Sequence, residues 1–189
     1  MKPINWLNCC VLLMTFCLNG LPISAKAEAD ILMYSVGPHN GNLGGRAGAD
    51  ARCASQQPGR YTQAHALLSV DETDEIRDMP ANYKIPSDEP IVGIDGDLIA
   101  NHWNELLTGS LRTALSTAVA GMNGAGWWSG STAAGALNSE NCSGWTTNAD
   151  VQYGRVGLGS EASSWWIDFD LVLPSCQISS GLFTLSVYG

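Results

Sequence analysis

Apolar positions recur along this chain at several spacings, and each spacing predicts a different element. Residues 31–36 (ILMYSV) form a short apolar run that ends at Gly37-Pro38 and predicts a first strand. Residues 39–45 (HNGNLGG) are turn-rich. Over residues 46–57, Ala47, Ala51 and Ala54 return at three- and four-residue intervals. That spacing predicts a short helix carrying Cys53 inward, ended by Pro58-Gly59. Residues 64–70 predict another strand. Asp71 then opens an acidic helical turn as its N-cap, with Asp74 and Glu75 near the positive helix end. Pro80, Pro86 and Pro90 make the next stretch irregular. Residues 101–107 predict a short helix with Trp103, Leu106 and Leu107 on one side. From Gly121 onward the chain is rich in Gly, Ser and Asn, with aromatic islands at Trp127-Trp128, Trp145 and Trp165-Trp166. Residues 182–188 (LFTLSVY) alternate and close the chain as a strand. Strands at both ends, short helices in front and long loops behind make an α+β pattern.

Residues 1–27 read as a secretory signal peptide. Lys2 supplies the positive start, an apolar stretch is strongest over residues 11–18, Pro22 breaks it, and Ala25-Lys26-Ala27 places small residues at the cleavage positions. Ala27-Glu28-Ala29 is a second cut, so the mature end is Glu28 or Asp30. The rival readings are an uncleaved anchor and a lipid-modified Cys17. The segment is short and Asn-interrupted for a membrane span, and bulky Phe16 precedes Cys17. What remains, residues 28–189, is one domain. Export to the periplasm, cell surface or medium is the expected localisation.

Charge narrows the partners. Removing Lys2 and Lys26 with the leader takes nine basic residues to seven, against 18 acidic ones, so 7 − 18 = −11. So acidic a surface repels phosphate backbones and anionic lipid heads, which removes nucleic acid and membrane surfaces as expected partners. Three of the six cysteines, Cys9, Cys10 and Cys17, leave with the leader. Cys53, Cys142 and Cys176 remain, enough for one internal bridge and one leftover thiol in an oxidising compartment.

Several segments, in order, resemble the endostatin domain and its secreted bacterial relatives, a branch of the C-type-lectin-like fold. Residues 41–53 (GNLGGRAGADARC) resemble the Gly-rich entry and cysteine-bearing helix. Residues 66–69 (ALLS) look like the following strand, and residues 90–110 (PIVGIDGDLIANHWNELLTGS) are the most specific match. Residues 128–131 (WSGS), 141–146 (NCSGWT) and Cys176 complete the series. The resemblance implies small antiparallel sheets, long Gly/Ser-rich loops and paired terminal strands. It also implies an inner disulfide between Cys142 and Cys176. The family's outer disulfide is broken, because the position expected to pair with Cys53 is Thr184. Cys53 is then either a buried thiol or an intermolecular link that makes a dimer.

Candidate chemistry is sparse. The sugar-binding lectin marks are missing: Ile91 follows Glu89-Pro90, and Ile167 stands in Trp166-Ile167-Asp168 where a ligand Asn would be. Asp168 and Asp170 would share a side if residues 166–170 were extended, with Glu161 as a third oxygen donor, fewer ligands than calcium takes. Asp95-Gly96-Asp97 reads as a turn. Asp71, Glu72, Asp74, Glu75 and Asp78 read as a solvated helix face with Arg77 as partial partner. His39, His65 and His102 are widely spaced, so no metal or cofactor is expected. Gly157-Leu158-Gly159-Ser160 lacks the spacing of a nucleophile elbow, and no catalytic residues are assigned.

The paired tryptophans carry the remaining expectation. Strand alternation sends neighbouring rings to opposite sides, so Trp127 and one of Trp165 and Trp166 are candidates to face solvent. An exposed indole can stack on a sugar or anchor a protein contact. The sequence therefore points to a binding module with a glycan or protein ligand. Its site falls within about residues 124–173 and draws on Trp127, Trp165, Trp166, Asp168 and Asp170. A surface-assembly protein linked through Cys53, and a hydrolase of unrecognised site, are the alternatives.

Overall fold

The structure is a computed structural model that describes residues 31–121 and 126–187. The leader expected over residues 1–27 lies outside the described residues. Among the described residues seven strands and four right-handed helices follow one another as β1 (Ile31–His39), α1 (Gly45–Ser55), β2 (Gln63–Ala66), α2 (Met79–Tyr83), β3 (Ile91–Val92), β4 (Leu98–Ala100), α3 (Trp103–Leu106), α4 (Leu115–Ala118), β5 (Gly126–Trp128), β6 (Val156–Leu158) and β7 (Ser180–Val187), with a left-handed turn at Cys142–Trp145 between β5 and β6. Two 3₁₀ turns, Ile76–Asp78 and Ser164–Trp166, lie between them. The architecture is α+β.

The terminal strands pair. β1 runs antiparallel to β7, with Leu32 opposite Ser186 and Ser35 opposite Phe183. The register shifts between Ser35 and Pro38, where Gly37 has a φ of 89° and Pro38 has no N–H to donate. The expected small antiparallel sheets are instead one seven-stranded mixed sheet, in the order β4-β3-β1-β7-β5-β6 with β2 also on β7. Two pairings are parallel, β1 with β3 and β5 with β7. Parallel pairing needs a long connection, and the chain supplies one by running through α1, β2 and α2 before β3 returns beside β1.

This sheet is covered on both faces. Ile31 and Met33 of β1 join Phe183, Leu185 and Val187 of β7 in one core, together with Trp103, Trp127 and Trp166. Leu32, Tyr34 and Val36 face the other way into a second core with Cys53, Trp128, Trp145 and Leu182. Alternation thus sends the two neighbouring indoles of β5 into two different cores, and both are fully buried. This corrects the expectation that Trp127 faces solvent. A half-covered sheet would expose one ring of the pair, and a fully covered one exposes neither.

Helix α1 is fastened to the sheet by polar groups. Arg46 donates to the carbonyls of Ala66 at 2.6 Å and Leu68 at 2.7 Å, and grips Asp74 through Nε and Nη2 at 2.7 and 3.0 Å. Asp50 accepts from the Ala66 N–H at 2.8 Å. The edge of β2 is therefore closed by side chains rather than by another strand. The acidic stretch 71–78 is solvated only in part: Asp71 and Glu72 are exposed, whereas Asp74 and Glu75 are engaged within the fold. Asp71 closes a turn onto the Thr73 N–H, Asp74 is held by Arg46 and Tyr83, and buried Glu75 pairs with Arg77 and accepts from the Leu137 N–H. Asp74 and Glu75 turn inward to these partners, while Asp71 and Glu72 stay exposed and Asp78 is half exposed.

Candidate functional site

An apolar cleft of about 440 Å³ opens where β1 ends and β5, β6 and β7 meet. Its walls include Pro38, Val156, Leu158, Phe169, Val172 and Ile178, and among the described residues no charged side chain lines it. Polar groups come from Ser35, Ser179 and Ser180 and from the backbone of the strand ends. A concave, mostly apolar cleft of this size with a few polar groups has the anatomy of a binding site.

One wall is a strap over residues 169–178. Backbone bonds hold it in place: Phe169 N–H to Val156 at 2.8 Å, Gly154 N–H to Pro174 at 3.1 Å, Cys176 N–H to Gln152 at 2.8 Å. A disulfide joins Cys176 to Cys142, with a Cα–Cα separation of 5.7 Å. Cys142 begins an unusual anchor. Cys142, Ser143, Gly144 and Trp145 all have left-handed backbone, with φ of 53°, 53°, 66° and 64°. Such a conformation costs about 1–2 kcal/mol for each non-glycine residue. Compensation comes from the disulfide, from Asn141 capping the Gly144 N–H, and from the buried Trp145 indole donating to Ser69 at 2.9 Å. The strap is thus tied to a segment that packs deep in the second core.

Among the sequence-predicted residues, Trp165 alone contributes an accessible ring. It is 40% exposed and stands edge-on to Phe169 at 5.4 Å between centroids, which links it to the cleft wall. Trp166 is buried, stacked on Trp127 at 5.6 Å, and the Trp127 indole donates to the Trp166 carbonyl at 2.6 Å. Residues 164–166 form a 3₁₀ turn, so the extended geometry that would align Asp168 with Asp170 is not there. Asp168 is engaged elsewhere, accepting from the Ala133 N–H at 3.0 Å and lying 3.4 Å from Arg155. Asp170 is exposed. Among the described residues no group of three or more His, Cys, Asp or Glu is placed to hold a metal ion.

The other reactive side chains serve the fold. Cys53 is unpaired and fully buried, and burial pushes its thiol up to about 12, so it stays protonated at neutral pH. A bond to a second chain would require α1 to lift off. His65 places Nδ1 3.1 Å from Asp50 and stacks on Tyr83 at 4.3 Å. That pair pins β2 to α1, and among the described residues no hydroxyl or thiol is hydrogen-bonded to the ring. His102 caps α3 by accepting from the Glu105 N–H. His39 is partly buried, which lowers its pKa, as does nearby Arg52.

The sequence left most of the cleft undetected. Leu171, Val172 and Leu173 stand together before Pro174, and all three are exposed. Their run of apolar residues in a Gly/Ser-rich region was the available signal. Among the described residues no helix is long and apolar enough to cross a membrane. No protein-family model matches the chain, and no curated protein matches it.

Proposed function

We propose that this protein is an exported binding module with an endostatin-like, C-type-lectin-like fold, and that it holds a protein partner at the cleft beside Trp165. Three features support the fold reading: paired terminal strands, the Cys142–Cys176 bridge, and Thr184 of β7 lying against Cys53 of α1. Export is supported by that disulfide, since such bonds persist in oxidising compartments. The observation that carries the binding reading is an exposed indole packed on Phe169 of an apolar cleft that, among the described residues, has no charged lining. Aliphatic neighbours suit a protein side chain better than a sugar, whose hydroxyls need polar partners around the ring. Calcium-dependent sugar binding is further disfavoured because Asp168 is already bound within the fold.

The test is a photo-reactive amino acid placed at position 172, with position 72 as control, in the cell that makes the protein. A discrete adduct at 172 and none at 72 is the expected result. Chelator-sensitive capture of one glycan class on an array, with no adduct at 172, would overturn it. Chelator-insensitive glycan capture lost in Trp165→Ala would assign the same ring to sugar stacking instead.

A further inference from the structure

Eight large apolar side chains are exposed among the described residues, and all but Ile94 fall between residues 151 and 178. They are not scattered. Leu171, Val172, Leu173 and Ile178 belong to the strap that walls the cleft. Tyr153 is bridged to the strap at Ser175, and Trp165 reaches it through Phe169. A small molecule that filled the cleft would touch its inner wall and leave the outer side of the strap wet, because Leu171 is 68% and Val172 is 53% exposed. Covering cleft and rim together takes the surface of a macromolecule.

Charge on the same stretch selects among macromolecules. Residues 150–178 carry Asp150, Glu161, Asp168 and Asp170 against Arg155 alone. Arg155 is matched by Asp168 within the fold. Asp150 and Asp170 are exposed and have no ion-pair partner among the described residues. A second copy of a chain whose net charge is −9 would bring like charges together around the apolar rim.

We infer that the partner is a protein segment that inserts an uncharged apolar side chain into the cleft and flanks it with Lys or Arg. The apolar anchor supplies affinity by desolvating Val172, Ile178 and Phe169. The flanking cations meet Asp150 and Asp170, speeding encounter and rejecting acidic competitors. This inference rests on the reading of the cleft as a protein site, and adds the chemistry of what enters it.

The experiment is selection of a phage-displayed random dodecapeptide library on the purified protein, with the enriched peptides then titrated against both the protein and its Val172→Asp variant. Val172 is half exposed, so the variant is expected to fold, and Ile178→Asp serves as a second variant if circular dichroism shows otherwise. Either substitution adds negative charge, so weaker binding of a basic peptide reports loss of the apolar contact. The expected peptides carry Leu, Ile, Phe or Trp beside Lys or Arg. They should bind the variant about tenfold more weakly. They should also lose about tenfold when Lys and Arg become Glu, and weaken as NaCl rises from about 50 to 300 mM.

Enriched peptides with an apolar anchor but neutral or acidic flanks would overturn the charge inference and leave the cleft reading standing. Peptides that bind protein and variant equally would remove the cleft reading itself. A dimer in sedimentation that Val172→Asp dissociates would replace the partner by a second copy and overturn the inference.

Discussion

The Cys53 thiol on α1 lies against the Thr184 hydroxyl on β7, inside the second core. The hydroxyl forms no hydrogen bond of ordinary geometry there, although the thiol and the Tyr34 phenol are both beside it. Thr184 therefore occupies the place where a second cysteine would close a bridge between helix and strand. Thr184→Cys is expected to form that bridge during oxidative refolding. The product should show no free thiol in denaturant and unfold about 2–4 kcal/mol later than its reduced form. Two free thiols by Ellman titration would show that α1 and β7 do not meet at these residues.

Burial of Cys53 also sets a pH dependence. Its thiol is raised from 9.0 to about 12, chiefly by desolvation. In the unfolded chain the thiol loses its proton above about pH 9, while the folded chain keeps it. The unfolded state then binds fewer protons, so stability is complete below about pH 9 and falls between there and about 12, by up to about 1.4 kcal/mol per pH unit. Burial of Tyr34 acts in the same direction. Cys53→Ala removes only the thiol's share. Urea unfolding of both proteins at pH 8, 9 and 10 should show the wild-type advantage shrinking as pH rises. A constant difference would mean the thiol is solvated in the native state.

Arg46 holds the front of the molecule together. Its guanidinium satisfies two carbonyls of the β2 segment and binds Asp74 at two points, in a position only 16% exposed. Arg46→Met strands Asp74 and two carbonyls, at a cost of about 3–5 kcal/mol. Arg46→Lys restores the charge without the planar fork and recovers only part of the loss. Equal stability of wild type and Arg46→Met in denaturant titrations would reduce this network to surface decoration.

The Cys142–Cys176 bridge spans a sequence separation of 34 and keeps both the left-handed turn and the strap in place. Cys142→Ser should lower stability by about 3–4 kcal/mol by the chain-entropy account, with strap amides over residues 169–178 exchanging fastest. Both cysteines are buried, so the native bond should resist mild reductant until the domain opens. An unchanged melting temperature in Cys142→Ser would show that the turn holds its conformation without the bond.

Much of the fold was legible in local pattern. Residues 31–36, 46–57 and 182–188 gave β1, α1 and β7, because each pattern matches a face buried in that element. The charged stretch 71–78 misled in part, since two of its carboxylates are matched by partners distant in sequence: Arg46 for Asp74, and the Leu137 N–H for Glu75. No periodicity reports such pairings. The tryptophan pairs failed for a related reason. Alternation was right about Trp127 and Trp128 facing opposite ways, but whether the far side is water or a second core depends on the layers packed over the sheet. The cleft was hidden because its wall, residues 169–178, has no regular element and takes its place from a disulfide and from backbone bonds to Gly41, Gln152, Gly154 and Val156.

Trp165 and Trp127 now separate binding from stability. Trp127 is fully buried, donates a hydrogen bond to Trp166 and packs edge-on against Phe183 at 5.1 Å. Trp127→Ala opens a large void in the first core and leaves the Trp166 carbonyl without that donor, so it should cost about 3–5 kcal/mol. Trp165 is 40% exposed and, among the described residues, its ring neighbour is Phe169. Trp165→Ala should stay within about 1 kcal/mol of wild type. It should nonetheless weaken the proposed capture at position 172, because the ring packs edge-on against Phe169, which lines the cleft. Paired urea titrations and crosslinking yields read both effects on the same proteins. A Trp165→Ala variant as unstable as Trp127→Ala would make Trp165 part of the core rather than part of the binding surface.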